Sequence, residues 1–160
     1  MVKRLTQKKV QGLLEMLATR RGYHVAARKK LTGAVKDFRP DVVAKPATGK
    51  AERVFEVEKN VSNNTIFKSI MSILYGLSSP AAEGFLIVPG NRVRFAKGCI
   101  DATRLVIQRF SKKVRGANPK VRLSVVSFES VRDDLEAVEK WDKNGRPRGV
   151  PKVTYLPTRC

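Results

Sequence analysis

The amino-acid sequence predicts an α/β protein with a central mixed β-sheet flanked by helices, and three observations support this fold class. Stretches with apolar residues at helical spacing alternate with short runs of strand-forming residues. Three strand candidates follow the first helix in succession, which favours antiparallel pairing. The later strands alternate with helices, which favours parallel pairing. The prediction is therefore a mixed sheet with helices on both faces.

A single domain is expected for most of the chain. The sequence has 160 residues, of which 42% are hydrophobic, and this suits a globular domain with one core. We assign residues 1–140 to this domain. Residues 141–160 are rich in Pro, Gly and basic side chains, so they are predicted to form a basic, extended C-terminal tail.

The first half of the chain contains one helix and three strands. A helix is predicted at residues 5–20, because apolar residues recur there at helical spacing: Val10, Leu13, Leu14 and Leu17. The segments "YHVAA", "PDVVA" and "RVFEVEKN" are rich in β-branched and aromatic residues and are predicted to be strands. Turn-forming residues in "PATGK" separate the last two strands.

The second half alternates helices with strands. "TIFKSIMSILYGL" has a stripe of Ile and Leu at helical spacing, and Asn63 or Asn64 is the expected N-cap of this helix. "GFLIVP" is a continuous apolar run, which is typical of a strand buried on both faces. A helix over residues 96–112, the strand "VRLSVVSF" and the helix "SVRDDLEAVEK" complete the predicted order α-β-β-β-α-β-α-β-α.

The charge of the chain indicates a polyanionic partner. The sequence has 33 Lys and Arg residues against 14 Asp and Glu residues, a net charge of +19. Nucleic acid is the expected partner, because Lys and Arg that neutralise phosphates release counterions and so drive binding. A structural role in a ribonucleoprotein is an alternative. The residues expected to contact phosphates are Arg28, Lys29, Lys30, Lys45, Arg92, Arg94, Lys97, Lys112, Lys113 and Arg115.

Several other classes of site are not expected. Cys99 and Cys160 lie far apart and His24 is the single histidine, which argues against a structural zinc site and a disulfide framework. This cysteine usage fits a reducing cytoplasm. The sequence shows no signal-peptide pattern and no membrane-span pattern, so no membrane partner is expected. "PATGKA" lacks the full phosphate-loop pattern, and no small-molecule cofactor is expected.

Three carboxylates stand in strand-like surroundings of this basic chain. Glu56 and Glu58 are two residues apart in "FEVEKN", so in a strand both side chains point to the same face. Two like charges so placed repel each other unless a cation lies between them. Asp41, on the neighbouring strand, can supply a third carboxylate, and Mg²⁺ prefers such oxygen ligands. The sequence therefore predicts a metal site that activates water and stabilises charge on a phosphate.

The succession of "PD", "FEVEKN", an amphipathic helix and "FLIVP" resembles the PD-(D/E)xK nuclease family, which has the restriction-endonuclease-like fold. The resemblance covers roughly residues 8–90, and the order of helix, "PDVVA" and strand is also similar to archaeal Holliday junction resolvases. It implies an αβββαβ core and a DNA endonuclease that uses Mg²⁺, for which Mn²⁺ can substitute. It assigns Asp41 to the "PD" aspartate, Glu56 to the first acid of the "ExK" half, and Glu15 to a further acidic position. A homodimer is expected, since a two-fold symmetric protein suits a two-fold symmetric duplex.

The sequence departs from the family pattern at one position. Glu58 occupies the place of the expected lysine, an "ExE" variant that some family members share. Lys68 on the following helix is the leading substitute, because it lies off the apolar stripe of that helix. Lys59 and Lys45 are the other candidates, although alternation points Lys59 to the opposite face of a regular strand. The alternative function is a nucleic-acid-binding module that keeps the fold and has lost catalysis.

Overall fold

The computed structural model describes residues 5–27, 40–47, 52–77, 82–115 and 122–158, apart from the side chains of residues 75, 107 and 110–115. Its elements follow the predicted order, with one short 3₁₀ turn, Gly90–Arg92, before the third helix. The predicted α/β fold class is confirmed. The elements are α1 (Gln7–Arg20), β1 (Tyr23–Ala27), β2 (Val42–Pro46), β3 (Arg53–Val57), α2 (Asn63–Gly76), β4 (Glu83–Val88), α3 (Val93–Arg115), β5 (Arg122–Ser127) and α4 (Phe128–Lys143).

The strands form one five-stranded sheet in the order β1-β2-β3-β4-β5. β1 pairs with β2 and β2 with β3 in antiparallel fashion, whereas β3 with β4 and β4 with β5 are parallel. This mixed pairing is the one that the spacing of the elements predicts. All residues of β4 after the first are buried, which agrees with its continuous apolar sequence.

Helices cover both faces of the sheet and divide the core into two layers. α1, α4 and the C-terminal segment pack on one face, where Phe55 and Val57 of β3 are buried. α2 and α3 pack on the other face, where Val54 is buried. Alternation along β3 therefore directs Glu56 toward α2. No helix in the described part of the chain has both the length and the apolar composition needed to cross a bilayer.

The N-terminus of α2 is capped by Ser62 and not by Asn63 or Asn64. The Ser62 hydroxyl accepts a hydrogen bond from the Thr65 N–H, and the Thr65 hydroxyl accepts one from the Ser62 N–H. This reciprocal pair satisfies two backbone donors that a helix start leaves without intrahelical partners. With this cap, α2 begins at Asn63, shortly after β3 ends at Val57. The first turn of the helix therefore lies near the C-terminal end of β3.

The C-terminal end of α2 approaches the sheet closely at Gly76. A Cβ added to Gly76 would lie 2.8 Å from Val54 Cγ1 and 2.9 Å from Pro40 Cγ. Atoms at such distances repel, so any larger residue would push the helix away from the start of β2. Gly76 thus permits the C-terminal end of α2 to lie against Pro40 and Val54.

The segment after α4 lacks regular secondary structure, as expected, but it packs against the domain. α4 itself extends to Lys143, past the boundary at residue 140 that the sequence suggested. Val153, Tyr155 and Leu156 are buried in the layer formed by α1 and α4. The Arg21 guanidinium donates a hydrogen bond to the Leu156 carbonyl oxygen at 2.9 Å. These contacts attach the C-terminal segment to the core.

Candidate metal centre

Asp41 and Glu56 are neighbours at the point where β2 begins. The register of β2 and β3 sets Val42 opposite Phe55, and one further step along both chains sets Asp41 opposite Glu56. Asp41 Oδ2 accepts a hydrogen bond from the Val57 N–H at 2.9 Å. The Asp41 side chain thus continues the pairing of β3 past the end of β2. Its carboxylate is fixed beside the carboxyl group of Glu56.

The Glu56 carboxyl is buried on the α2 side of the sheet. The residue is 8% exposed, and its Oε1 atom has no hydrogen-bond partner among the described residues. Burial and the negative charge of Asp41 are the main causes that raise the pKa of Glu56 to about 9, and a hydrogen bond with Ser72 acts in the opposite direction. In the absence of a cation, Glu56 is therefore protonated at neutral pH.

The two carboxyl groups fit a divalent cation. A buried carboxyl oxygen without a donor, beside a second carboxylate, is stabilised when a cation compensates both charges. Mg²⁺ is commonly held by one or two protein carboxylates and completes its coordination with water and substrate phosphate. Within the described ranges, no three His, Cys, Asp or Glu side chains are grouped to hold a metal ion. The structure brings together the pair Asp41 and Glu56, which are the residues that would hold the cation.

The two remaining carboxylates predicted as ligands have other hydrogen bonds, and Glu15 belongs to α1, which packs on the face of the sheet opposite to α2. Glu58 directly follows β3, and its Oε1 accepts a hydrogen bond from the Asn60 N–H at 2.9 Å. Glu15 accepts one from the Gln11 side chain, which also donates to the Asp41 carbonyl oxygen, each at 3.4 Å. Glu58 thus lies just beyond the strand, and Glu15 is linked through one amide to the Asp41 backbone.

Lys68, the leading candidate to replace the lysine missing from the "ExE" pattern, lies on α2. Ser72 of α2 hydrogen-bonds Glu56, and Lys68 lies one helical turn earlier on the same side of the helix. α2 runs back along the sheet between two parallel strands, so its earlier turns lie nearer the C-terminal end of β3, where Glu58 is. Lys68 is exposed, and its long side chain extends from this turn.

The other two candidate lysines have different surroundings. Lys59 lines a cavity together with Phe128 of α4 and Thr65 of α2. Lys45 forms an ion pair with Glu52 at 3.0 Å. Lys45 is four positions after Asp41 along the chain, which corresponds to about 13 Å in an extended strand.

The predicted phosphate-binding residues are described only in part. Arg92, Arg94 and Lys97 are exposed around the start of α3, directly after β4. They therefore lie at the same edge of the sheet as the end of β3. Arg28, Lys29 and Lys30 lie outside the described part of the chain. For Lys112, Lys113 and Arg115 the backbone is described and the side chains are not.

Two polar residues of the site were not predicted from the sequence. Ser72 is buried and hydrogen-bonds Glu56, and Gln11 links Glu15 to the Asp41 backbone. The signal for Ser72 was a small hydroxyl residue within an otherwise apolar helix that follows the acidic strand. Gln11 gave no comparable signal, because its partner is far away in the sequence.

Comparison with protein-family models, with curated proteins and with solved structures yields no match for this chain. The α/β fold class with its mixed sheet is shown by the structure. The resemblance to PD-(D/E)xK nucleases and the roles of the site residues stay predictions.

Proposed function

We propose that this protein is a Mg²⁺-dependent DNA endonuclease that hydrolyses phosphodiester bonds, with Mn²⁺ as an alternative metal. The observation that carries the proposal is the Asp41–Glu56 pair, in which buried Glu56 Oε1 has no partner among the described residues. Buried polar atoms nearly always have a partner, so this atom calls for a ligand. The net charge of +19 supports a nucleic-acid substrate, because a strongly basic surface attracts a polyanion.

Each residue of the site has a distinct task in the proposed reaction. The cation supplies activation of a water molecule and neutralisation of charge on the phosphate. Asp41, fixed by a backbone N–H of β3, and Glu56, hydrogen-bonded to Ser72, would hold it. Glu58 would orient the attacking water or act as a further ligand. Lys68 would place positive charge near the phosphate oxygens, where negative charge develops in the transition state.

The proposed working form is a homodimer that binds DNA in the cytoplasm. Two copies related by a two-fold axis present two identical sites to the two strands of a symmetric duplex or junction. The scarcity of cysteine supports a reducing compartment, since the sequence holds Cys99 and Cys160 alone. Size-exclusion chromatography with light scattering, with and without DNA, measures the number of copies directly.

Incubation with supercoiled plasmid and with synthetic four-way junctions tests the proposed activity. With Mg²⁺ or Mn²⁺ we expect nicked, linear or resolved products, and with EDTA we expect none. The variant Glu56→Gln, purified in parallel, controls for a contaminating nuclease. If neither substrate is cut at any metal concentration, the protein is not a nuclease on DNA of these kinds and the proposal is rejected.

The side chain at Glu58 favours a second candidate, a DNA-binding module without catalysis. The family pattern expects a lysine here, and the Glu58 carboxylate accepts a hydrogen bond from Asn60. Protonated Glu56 and charged Asp41 can also share a hydrogen bond when no metal is bound, which gives the pair a purely structural role. This candidate predicts salt-dependent DNA binding and no cleavage, so the same incubations distinguish it from the nuclease.

A further inference from the structure

A cavity of about 740 Å³ lies at the C-terminal edge of the sheet. Its walls come from the segments that follow β3 and β4 and from the first turns of α2 and α4. Open α/β sheets bind their ligands at this edge, outside the carboxyl ends of the strands. Lys59 lines the cavity and directly follows Glu58 along the chain.

The charged residues of the cavity favour an anion. Lys59, Arg92 and Arg132 line it, together with the acidic side chain of Glu129. Within the described residues, neither Lys59 nor Arg92 takes part in an ion pair. The Glu129 carboxylate accepts a hydrogen bond from the Gly90 N–H at 2.9 Å. The acid is therefore engaged with the backbone, whereas two of the cations are available to a ligand.

The rest of the cavity wall combines apolar and polar residues. Leu5, Val61, Pro89 and Phe128 form the apolar part, and the polar part consists of Asn60, Ser62, Thr65 and Asn91. A cavity with cations on one part and apolar groups on another suits a nucleotide, which has a charged phosphate and a flat, weakly polar base. Its volume falls in the range of small-molecule sites, about 300–1,000 Å³. A single nucleotide unit fits such a volume, whereas a base-paired duplex does not.

We propose that this cavity binds an unpaired nucleotide of the DNA strand that is cut at the Asp41–Glu56 pair, a proposal that rests on the nuclease function above. Lys59 and Arg92 bind the phosphate of this nucleotide, and its base lies against the apolar wall. The charge of Glu129 opposes the phosphate and limits the affinity. The preferred substrate then has single-stranded nucleotides beside the cleaved bond, as at a branch point or an overhang.

Binding of the 5′-phosphorylated dinucleotide pTpT, followed by two-dimensional amide NMR, tests the cavity by itself. The dinucleotide is too short to extend over the whole basic surface, so its contacts are local. We expect the largest amide shifts at Asn60 and Asn91. Arg92→Gln should weaken binding about tenfold, the value of a lost charged hydrogen bond. Glu129→Gln keeps an oxygen for the Gly90 N–H and removes the opposing charge, so it should strengthen binding.

A matched control separates the cavity from general electrostatics. Arg148 is exposed in the C-terminal segment and is not one of the residues that line the cavity. Arg148→Gln should change the dissociation constant of pTpT by less than about twofold. Superimposable amide spectra of the free variants establish that each one is folded. Equal losses for Arg92→Gln and Arg148→Gln, or amide shifts confined to other surfaces, would overturn the proposal.

Cleavage of matched substrates shows whether the nuclease function fails or the cavity proposal fails. We expect faster cutting of a duplex with unpaired nucleotides beside the cut than of the same sequence fully paired. If pTpT binds in the cavity and no DNA is cut, the nuclease function fails and nucleotide binding by the cavity stands. If both duplexes are cut at equal rates and pTpT does not shift Asn60 or Asn91, the nuclease stands and the cavity proposal fails.

Discussion

The Asp41 carboxylate adjoins the Glu56 carboxyl, and it is held there by the N–H of Val57, the residue that follows Glu56. The same carboxylate therefore extends the pairing of β3. Together with burial, which is the larger cause, it raises the pKa of Glu56. Without a cation this arrangement disfavours the charged form of Glu56. A divalent cation would reverse that preference, which is why the pair is a candidate functional site and not only a structural contact.

The stability of the metal-free protein should fall as pH rises through the range set by Glu56. Folding raises the pKa of Glu56 from 4.5 to about 9, so over this range the native state keeps a proton that the unfolded chain releases. The stabilisation is complete below the unfolded pKa and is lost as pH rises toward the folded pKa, by up to about 1.4 kcal/mol per pH unit. Urea unfolding of wild type and Glu56→Gln across this range measures it. Parallel pH profiles for the two proteins would contradict the assignment.

Lys68→Ala should slow cleavage about 10²–10³-fold while leaving DNA affinity nearly unchanged, because one preorganised donor is typically worth ~2.7–4 kcal/mol in the transition state. Single-turnover cleavage and fluorescence anisotropy measure the two effects separately. The matched control is Lys140→Ala, because Lys140 is an exposed lysine on α4. This variant should cut DNA at the wild-type rate. If Lys59→Ala abolished turnover while Lys68→Ala cut normally, the positive charge would come from Lys59 and the assignment of Lys68 would be wrong.

Affinity for DNA should fall steeply with salt. The exposed residues Arg92, Arg94 and Lys97 and the high net charge predict several phosphate contacts. With ~6–10 such contacts, affinity decreases about 10³–10⁵-fold between roughly 50 and 200 mM salt. Anisotropy titrations of a labelled duplex give this slope. A salt-independent affinity would argue against phosphate neutralisation as the source of binding.

Leu156→Ala should destabilise the protein by about 2–5 kcal/mol, because a fully buried leucine is replaced by a cavity. Leu156 lies in the segment that the sequence assigned to an extended tail. Val150→Ala, in the same segment but 47% exposed, should stay within about 0.5 kcal/mol and serves as the control. Chemical denaturation measures both. If Leu156→Ala were as neutral as Val150→Ala, the segment would not be part of the folded core.

The regular elements could be predicted because their apolar residues follow the period of the structure they form. Ile66, Ile70 and Ile73 recur at helical spacing and are buried in α2, and the apolar run of β4 is buried between two parallel neighbours. The N-cap of α2 was mispredicted, since Ser62 and Asn63 are both good capping residues and only the observed hydrogen bonds distinguish them.

The burial of the C-terminal segment could not be predicted from local sequence. Val153 and Tyr155 alternate with exposed Lys152 and Thr154, but this run is short and lies between Pro151 and Pro157. The burial of Val153, Tyr155 and Leu156 depends on contacts with distant parts of the chain. Arg21, which binds the Leu156 carbonyl, is more than a hundred residues earlier. Such contacts arise from the packing of α1 and α4 and leave no periodic signal.

The sequence predicted the face of the sheet on which the candidate site lies, but it did not predict every contact of the side chains in that site. Strand alternation placed Glu56 on one side of β3, and the antiparallel register then set Asp41 beside it. The predicted strand included "EKN", although Glu, Lys and Asn are disfavoured in strands. β3 ends at Val57, so Glu58 lies beyond the regular strand. Ser72 was missed because its role depends on how closely α2 approaches the sheet.

The central claim, that Asp41 and Glu56 together hold the catalytic cation, is tested most directly by single-turnover cleavage with Asp41→Asn and Glu56→Gln. These substitutions keep side-chain size and hydrogen-bonding oxygens, and circular dichroism verifies the fold. We predict that neither variant cuts DNA with Mg²⁺ or Mn²⁺, whereas both bind DNA as tightly as the wild type or more tightly. The exposed-carboxylate control Glu136→Gln should cut normally. Cleavage at the wild-type rate by either site variant would contradict the claim.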